Sequence, residues 1–279
     1  VAGLNDADIN AKAIDCLSED LTMHLKSTIN EIGHKIDTDG KTAAFIEYTD
    51  KDGNEGRWQG ERVLVATGRR NNIEQLGVEN LGVELDDKNR PKNLDKHTGQ
   101  IGDLDVYIVG DANANIPLLH VASDEGYSAG SIVCNQNTDA YIRPVAIPFS
   151  IVFTSPQIVN VGMTQQEIED DPDLEYVIGK VSFDNQGRSR IMGVNCGLLH
   201  IYGCKETDKV LGASMVGPDA EYIGHILANA ITNEICVKQL LDTPFYHPTI
   251  LEGLRTALRD VQHKMAIPYQ SLDAQEDGF

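Results

Sequence analysis

The sequence predicts a mixed fold, in which an α/β part is followed by an α+β domain. Three observations support this prediction. Near the start, apolar residues recur at every fourth position, a spacing typical of an amphipathic helix. Short alternating runs follow and predict antiparallel strands. In the second half, strand-like runs come first and two helical runs close the chain, which is the segregation expected of an α+β domain.

The composition limits the class of protein. The 279 residues include 41% hydrophobic residues and carry a formal net charge of −20, with an isoelectric point near 4.6. This length suggests about two domains, and the acidic charge would repel a nucleic-acid backbone. We find no apolar run as long as a membrane span and no signal peptide at the start. We therefore expect a soluble cytoplasmic protein that binds neither nucleic acid nor a membrane.

The first predicted helix covers residues 6–28, with Asp6 and Asp8 in its first turn, where the helix dipole favours acidic groups. Its apolar face is formed by Ile9, Ala13, Leu17, Leu21 and Leu25. Three β-rich runs then predict antiparallel hairpins. They cover residues 31–36, 42–49 and 55–59. A more apolar run at 61–66 predicts a buried central strand.

Turn residues interrupt the next segment, 69–104, which predicts a loop-rich connection. A buried strand is expected at 106–109 and a helix within 117–135. The polar run at 135–139, closed by Arg143-Pro144, predicts a domain boundary. Beyond it we expect strands at 145–153, 175–182, 197–204 and 210–216, a helix start at 164–170, a polar loop at 185–188, and helices at 220–234 and 248–263.

The five cysteines are scattered through apolar or strand-like segments: Cys16, Cys134, Cys196, Cys204 and Cys236. This spacing does not indicate a disulfide framework, and we predict no metal site. We expect buried, reduced thiols in a cytosolic protein.

The stretch His247-Pro248-Thr249-Ile250-Leu251-Glu252 is the strongest candidate for chemistry. Because proline favours the first helical position, we expect His247 at a helix cap and Glu252 within the first turns. A carboxylate that holds one imidazole nitrogen leaves the other free to move a proton near neutral pH. The alternative is a capping histidine beside a solvated glutamate, and these residues alone leave both interpretations open.

Two further motifs lie upstream, Val65-Ala66-Thr67-Gly68-Arg69-Arg70 and Val106-Tyr107-Ile108-Val109-Gly110-Asp111. In this order the three motifs resemble those of the FAD-dependent pyridine nucleotide-disulfide oxidoreductases, the family that includes dihydrolipoamide dehydrogenase and glutathione reductase. The sequence contains no Gly-x-Gly-x-x-Gly after a strand and no closely spaced cysteine pair. We therefore expect the C-terminal portion of a longer enzyme.

The resemblance implies three segments: the end of an NAD-binding domain at 1–66, a central FAD-contacting segment at 67–143 and a dimerisation domain at 144–279. It also implies cofactor contacts, which involve Gly68, Gly110, Asp111, Leu118 and Leu119. In the family, the aspartate at the position of Asp111 accepts a hydrogen bond from the ribityl chain of the flavin.

By the same resemblance, the parent enzyme oxidises a dithiol such as dihydrolipoamide with NAD, through FAD and a redox disulfide outside this chain. His247 would take the thiol proton, and Glu252 would orient the imidazole of His247. The pair would face the flavin of the partner subunit in a homodimer. A lipoyl-bearing acyltransferase of a 2-oxoacid dehydrogenase complex is a candidate partner. The isolated chain should be inactive and hold neither cofactor. Two alternatives stay open: an NADPH-dependent reductase such as glutathione reductase, and a non-catalytic dimerisation module.

Overall fold

The computed structural model of the chain describes residues 1–36, 42–87, 89–135, 141–144 and 146–265. The chain divides into two compact units. The C-terminal unit combines Val1–Met23 with Ile147–Phe279, and the middle unit consists of His24–Ala146. Residues 1–23 thus pack with the C-terminal part of the chain. The family resemblance places them in one segment with the residues up to 66. The division into 1–66, 67–143 and 144–279 stays a prediction.

The described α-helices are α1 (Ala7–Leu17), α2 (Leu119–Asn135), α3 (Gln165–Glu169), α4 (Gly187–Met192), α5 (Ala220–Thr232), α6 (Val237–Leu241) and α7 (Glu252–Lys264). The described strands are β1 (Thr28–Ile36), β2 (Thr42–Thr49), β3 (Glu55–Gly60), β4 (Phe149–Val152), β5 (Gln157–Gly162), β6 (Tyr176–Ser182), β7 (Leu198–Cys204) and β8 (Val210–Gly217). No described helix is both long and apolar enough to cross a bilayer.

The C-terminal unit is built on an antiparallel sheet with the strand order β4-β5-β8-β7-β6. Because side chains alternate along a strand, the sheet can bury apolar residues on both faces. Met215 of β8 contributes to the core that α5 and α7 cover, whereas the next residue, Val216, packs with Ile9 and Ala13 of α1. The predicted α+β domain is confirmed, with a further helix on its second face.

The apolar spacing of α7 explains how this helix is held. Leu254, Leu258 and Val261 are fully buried, as the helical period predicts. The helix lies so close to β6 that a Cβ on Gly179 would meet the backbone carbonyl of Ala257. Glycine at this position lets the backbones of helix and strand approach each other.

A buried polar cluster anchors the start of α1. Asp6 caps the helix by accepting hydrogen bonds from the N–H groups of Asp8 and Ile9, at 3.0 and 3.1 Å. Its second oxygen lies 2.5 Å from Nδ1 of His200 and 2.8 Å from the hydroxyl of Tyr202. Burial acts to raise the pKa of Asp6, but the hydrogen bonds from His200 and Ile9 outweigh it and lower this pKa to about 2.

The expectation of reduced cysteines is wrong for two of the five residues. Cys16 and Cys196 form a disulfide, with their Cα atoms 6.0 Å apart. They are separated by 180 residues in sequence, and only the packing of α1 on the sheet brings them together. The disulfide removes the reduced-thiol argument for a cytosolic compartment, so the compartment stays a prediction.

The middle unit contains an antiparallel sheet with the order β1-β2-β3. This confirms the predicted hairpins, although residues 37–41, which connect the first two strands, lie outside the described residues. A small cluster around Ile73 and Ile101 packs the loop-rich segment that follows. The predicted helix within 117–135 is confirmed as α2.

The first predicted helix is too long. Residues 6–28 were expected to be helical because of their period, yet α1 ends at Leu17, with Ser18 as its C-cap. Leu21 and Leu25 are 55% and 39% exposed. Ser18 and Asp20 are poor helix formers, and the acidic groups of Glu19 and Asp20 at a helix C-terminus oppose the dipole, which explains the early end.

The central strand predicted at 61–66 and the buried strand predicted at 106–109 are also wrong. Residues 61–66 pair with no described strand, and Leu64 is 92% exposed. In the second run, Tyr107 forms only an isolated bridge with Gln100, although Ile108 is buried. A strand needs a partner along its whole length for its backbone groups. Residues 61–66 have no such partner among the described residues, and 106–109 has only the short contact with residues 99–101.

Candidate active site

His247 and Glu252 form the pair that the sequence predicts. Nδ1 of His247 lies 2.9 Å from Oε2 and 3.1 Å from Oε1 of Glu252. The imidazole is 80% exposed, whereas the carboxylate is only 16% exposed. The expected cap position is wrong, because α7 begins at Glu252 with Leu251 as its N-cap, and His247 lies in the loop before it.

Three donors surround the Glu252 carboxylate. Besides His247, the Thr249 N–H donates to it at 3.1 Å and the Arg255 guanidinium at 3.0 Å. The hydrogen bond from Thr249 holds the pKa of Glu252 below its ordinary value, assisted by His247 and by the charge of Arg255, although burial opposes them. Thr249 and Arg255 were not singled out from sequence; the spacing of Glu252 and Arg255, three residues apart on one helix, was the available signal.

This arrangement sets the proton positions on the imidazole. An ionised carboxylate can only accept, so Nδ1 of His247 must carry the shared proton. In the neutral ring, Nε2 then bears a lone pair. Among the described residues, Nε2 has no hydrogen-bond partner, and the ring is exposed. The pair can therefore accept a proton from a group that approaches from solvent.

A hydrogen bond from Gln186 helps to fix the loop that carries His247. The amide nitrogen of Gln186 donates to the carbonyl oxygen of Thr249 at 2.8 Å, and its amide oxygen accepts from the N–H of Ser189 at 2.7 Å, capping α4. The predicted polar loop at 185–188 is thus the start of a helix. Through Gln186, the start of α4 is hydrogen-bonded to the loop before α7.

The expected cofactor contacts lie in the middle unit. Gly68 has φ +112° with nothing within 4 Å of an added Cβ, and Gly110 has φ +64°. The carboxylate of Asp111 is 51% exposed and lies 3.5 Å from Nη1 of Arg69. This long, exposed contact leaves Asp111 available as an acceptor and shows that the two motifs lie near each other.

Glu125, which the sequence did not single out, organises the turn at Gly110. Its carboxylate accepts from the Gly110 N–H at 2.6 Å and from the Asn113 side-chain amide at 2.9 Å. A Cβ on Gly110 would lie 2.9 Å from that of Ala122 on α2. The close approach that requires glycine here is therefore to helix α2. An acidic residue within a helical run gave no signal of this role.

Leu118 and Leu119 lie at the start of α2. Leu119 is the first helical residue and is 87% exposed. The first N–H groups of a helix lack partners within it and form the positive end of its dipole. The N–H of Leu118 already donates to the carbonyl oxygen of Ile116 at 2.8 Å, so the N–H of Leu119 is the one placed to meet a partly negative ligand.

One further polar cluster has ligand atoms close enough for a metal ion. Atoms of Asp6, Asp8 and His200 lie within 4.8 Å of one another. Asp6 already caps α1, and the Lys180 ammonium donates to Asp8 at 2.8 Å. Nε2 of His200 lies 3.9 Å from Asp8 and has no hydrogen-bond partner among the described residues. We assign the cluster a structural role, and the absence of a metal site stays a prediction.

Two family models match the chain. The model of the pyridine nucleotide-disulphide oxidoreductase matches residues 4–126, and that of the dimerisation domain of the same family matches residues 148–258. The chain belongs to this family. Its matches fall on the two parts of the chain that carry the cofactor motifs and the His247–Glu252 pair.

Two curated relatives of the chain are both named dihydrolipoyl dehydrogenase. The chain is 28% identical over 245 residues to the mitochondrial dihydrolipoyl dehydrogenase of Dictyostelium discoideum, covering 88% of this chain and 48% of the relative. It is 30% identical over 250 residues to the dihydrolipoyl dehydrogenase of Haloferax volcanii, covering 88% and 50%. The chain thus spans about half the length of these relatives.

Solved structures of the family share the fold. LpdA from Mycobacterium tuberculosis has a TM-score of 0.72 at 22% identity, covering 91% of this chain and 52% of its own. The HOCl-induced flavoprotein disulfide reductase RclA from Escherichia coli has a TM-score of 0.72 at 19% identity, covering 92% and 55%. The expected fold is confirmed.

The family residues present here fit one part of FAD. An exposed carboxylate at Asp111, the open space at Gly68 and the start of α2 match the hydroxyl-bearing chain and the ring system of a flavin. The glycine fingerprint that would bind the pyrophosphate is not in the sequence. These residues would hold the cofactor through Asp111 and the backbone N–H of Leu119 at the start of α2.

Proposed function

We propose that this chain is part of a flavin-dependent oxidoreductase that oxidises a dithiol such as dihydrolipoamide with NAD. The observation that carries the proposal is the His247–Glu252 pair, in which a shielded carboxylate holds an exposed imidazole. The names of the relatives, which are dihydrolipoyl dehydrogenases, support the choice of substrate. Because the chain spans about half of these relatives, the activity is proposed for the whole protein.

In this proposal, Nε2 of His247 takes the proton from a substrate thiol. The thiolate is the nucleophile in disulfide exchange, so proton removal speeds its attack on a redox disulfide outside this chain. Glu252 stabilises the imidazolium that forms and keeps Nε2 directed outwards. FAD, when bound, supplies two-electron redox chemistry between the disulfide and the pyridine nucleotide.

The proposal includes a homodimer and two cofactors. The match of residues 148–258 to the dimerisation domain supports a second copy of this chain as the partner. A lipoyl-bearing acyltransferase is the further partner that a dihydrolipoamide substrate would require. NAD is proposed as the nicotinamide cofactor because the resemblance to dihydrolipoamide dehydrogenase implies it, and NADP is the alternative. The presence of the His247–Glu252 pair argues against a non-catalytic module.

The test separates the two half-reactions of the whole protein. His247→Gln should slow flavin reduction by dihydrolipoamide about 10²- to 10⁴-fold, the span of a positioned acid–base group. Flavin reduction by NADH should change much less, because hydride transfer does not need this proton. Stopped-flow absorbance of the flavin measures both rates.

His263→Gln is the matched control, since His263 is an exposed histidine in the last turn of the same helix. It should leave both rates unchanged. Equal slowing of both half-reactions by His247→Gln, with folding intact, would contradict the assigned role.

A further inference from the structure

The Cys16–Cys196 disulfide forms part of the wall of a cleft of about 590 Å³ in the C-terminal unit. Small-molecule sites commonly occupy about 300–1,000 Å³, so this volume suits a small ligand. The disulfide has no role in the proposed dithiol oxidation, and the inference below is independent of that proposal.

The two sulfur-bearing residues differ in accessibility. Cys16 lies in the last turn of α1, packed towards the sheet, and is only 4% exposed. Cys196 is partly exposed and follows the exposed residues Val194 and Asn195, which also line the cleft. A thiolate entering the cleft therefore reaches Sγ of Cys196, and Cys16 becomes the leaving sulfur.

The charged side chains that line the cleft are all acidic. Its wall carries the carboxylates of Glu19, Asp20 and Asp219, and none of the described lining residues is lysine, arginine or histidine. Within the described part of the chain, none of these three carboxylates forms an ion pair. The negative potential of such a cleft concentrates cations and repels anions.

We propose that this cleft is a thiol–disulfide exchange site selective for thiols that carry a positive charge. A thiolate attacks Sγ of Cys196, a new disulfide forms between the two sulfurs, and the Cys16–Cys196 bond breaks. Cys16 leaves as a thiolate and takes a proton from solvent. A second thiolate attacks the ligand sulfur of the mixed disulfide, which releases the ligand disulfide and Cys196 as a thiolate. Two thiols thus give two electrons to one protein disulfide.

Three two-carbon thiols of different charge test the selectivity: cysteamine is cationic, 2-mercaptoethanol neutral and 2-mercaptoethanesulfonate anionic. The 279-residue chain is reduced with each at low salt, quenched by alkylation, and the peptides with Cys16 and Cys196 are quantified by mass spectrometry. Rate constants are expressed per thiolate and divided by those for bis(2-hydroxyethyl) disulfide, a neutral reference. Cysteamine should exceed the sulfonate by about tenfold or more, and salt should reduce this ratio.

The triple variant Glu19→Gln, Asp20→Asn and Asp219→Asn should bring the normalised ratio close to one. Asparagine suits position 219, where φ is +52°, since it tolerates the left-handed region.

Glu206→Gln, Asp170→Asn and Asp173→Asn together form the matched control, because they remove the same charge from exposed positions outside the cleft lining. This variant should keep the wild-type ratio. The proposal is overturned if the two cysteines are not disulfide-bonded in the purified chain, or if the wild-type ratio equals one and does not respond to salt. The salt dependence of the wild type decides the matter if the triple variant does not fold.

Discussion

Single residues decide the chemistry at the His247–Glu252 pair. His247 is held from one side only, by the carboxylate on Nδ1, and the rest of the ring is exposed. Glu252 is held by three donors, so its position does not depend on His247 alone. The pair therefore combines a fixed acceptor with an accessible base.

Glu252→Gln tests whether charge or position matters at this residue. Glutamine keeps an oxygen that can accept from His247 and Thr249 but loses the negative charge. We expect dithiol-driven flavin reduction in the whole protein to slow about tenfold, because a charge-assisted hydrogen bond becomes a neutral one. Rapid-mixing kinetics with dihydrolipoamide measure this rate.

Glu252→Ala is the comparison, since it removes both charge and acceptor. If charge stabilisation matters, the glutamine variant should lie close to the alanine variant. A glutamine variant as fast as the wild type would assign Glu252 a purely orienting role.

At the scale of elements, α1 depends on its buried cap. Asp6 is 3% exposed and ionised, with the start of α1 on one side and His200 and Tyr202 on the other. Its low pKa means that the fold binds the charged form more tightly than the neutral form.

Acid should therefore destabilise the C-terminal unit through Asp6. The folded-state pKa is about 2, below the ordinary value of 3.8, so this contribution is complete above about pH 4 and is lost as the pH falls through 2. It amounts to roughly 2 kcal/mol. Urea unfolding followed by circular dichroism between pH 2 and 6 should show a weaker pH dependence for Asp6→Asn than for the wild type.

Asp8→Asn is the control for this prediction, because the Asp8 side chain is 62% exposed and surface ion pairs contribute little. It should keep the wild-type pH dependence. Identical pH profiles for Asp6→Asn and the wild type would show that Asp6 does not carry the effect.

At the scale of the whole molecule, we predict that the chain is a dimer in solution. The C-terminal unit exposes large apolar side chains, including Phe153 at 74% and Tyr222 at 59%. Exposed apolar surface of this kind marks interaction sites, and identical copies usually associate through one self-complementary surface. Multi-angle light scattering should give twice the mass of one chain. A monomer at every concentration tested would contradict the prediction.

Local patterns in the sequence determined helix faces, hairpins and the contact of the candidate catalytic pair. The period of Leu254, Leu258 and Val261 predicted the buried face of α7, and alternating runs predicted the hairpins of the middle unit. The spacing of His247 and Glu252 predicted their contact. These features depend on residues close together in the chain, and for that reason sequence alone could indicate them.

The tertiary structure decided what depends on distant residues. Apolar residues at 61–66 do not form a strand without a partner, while β5, which was not predicted, forms because β4 and β8 pair with it. Asp6 meets His200, and Cys16 meets Cys196, only after α1 packs on the sheet. Strand pairing, buried side-chain hydrogen bonds and disulfides join segments far apart in sequence, so no local pattern specifies them.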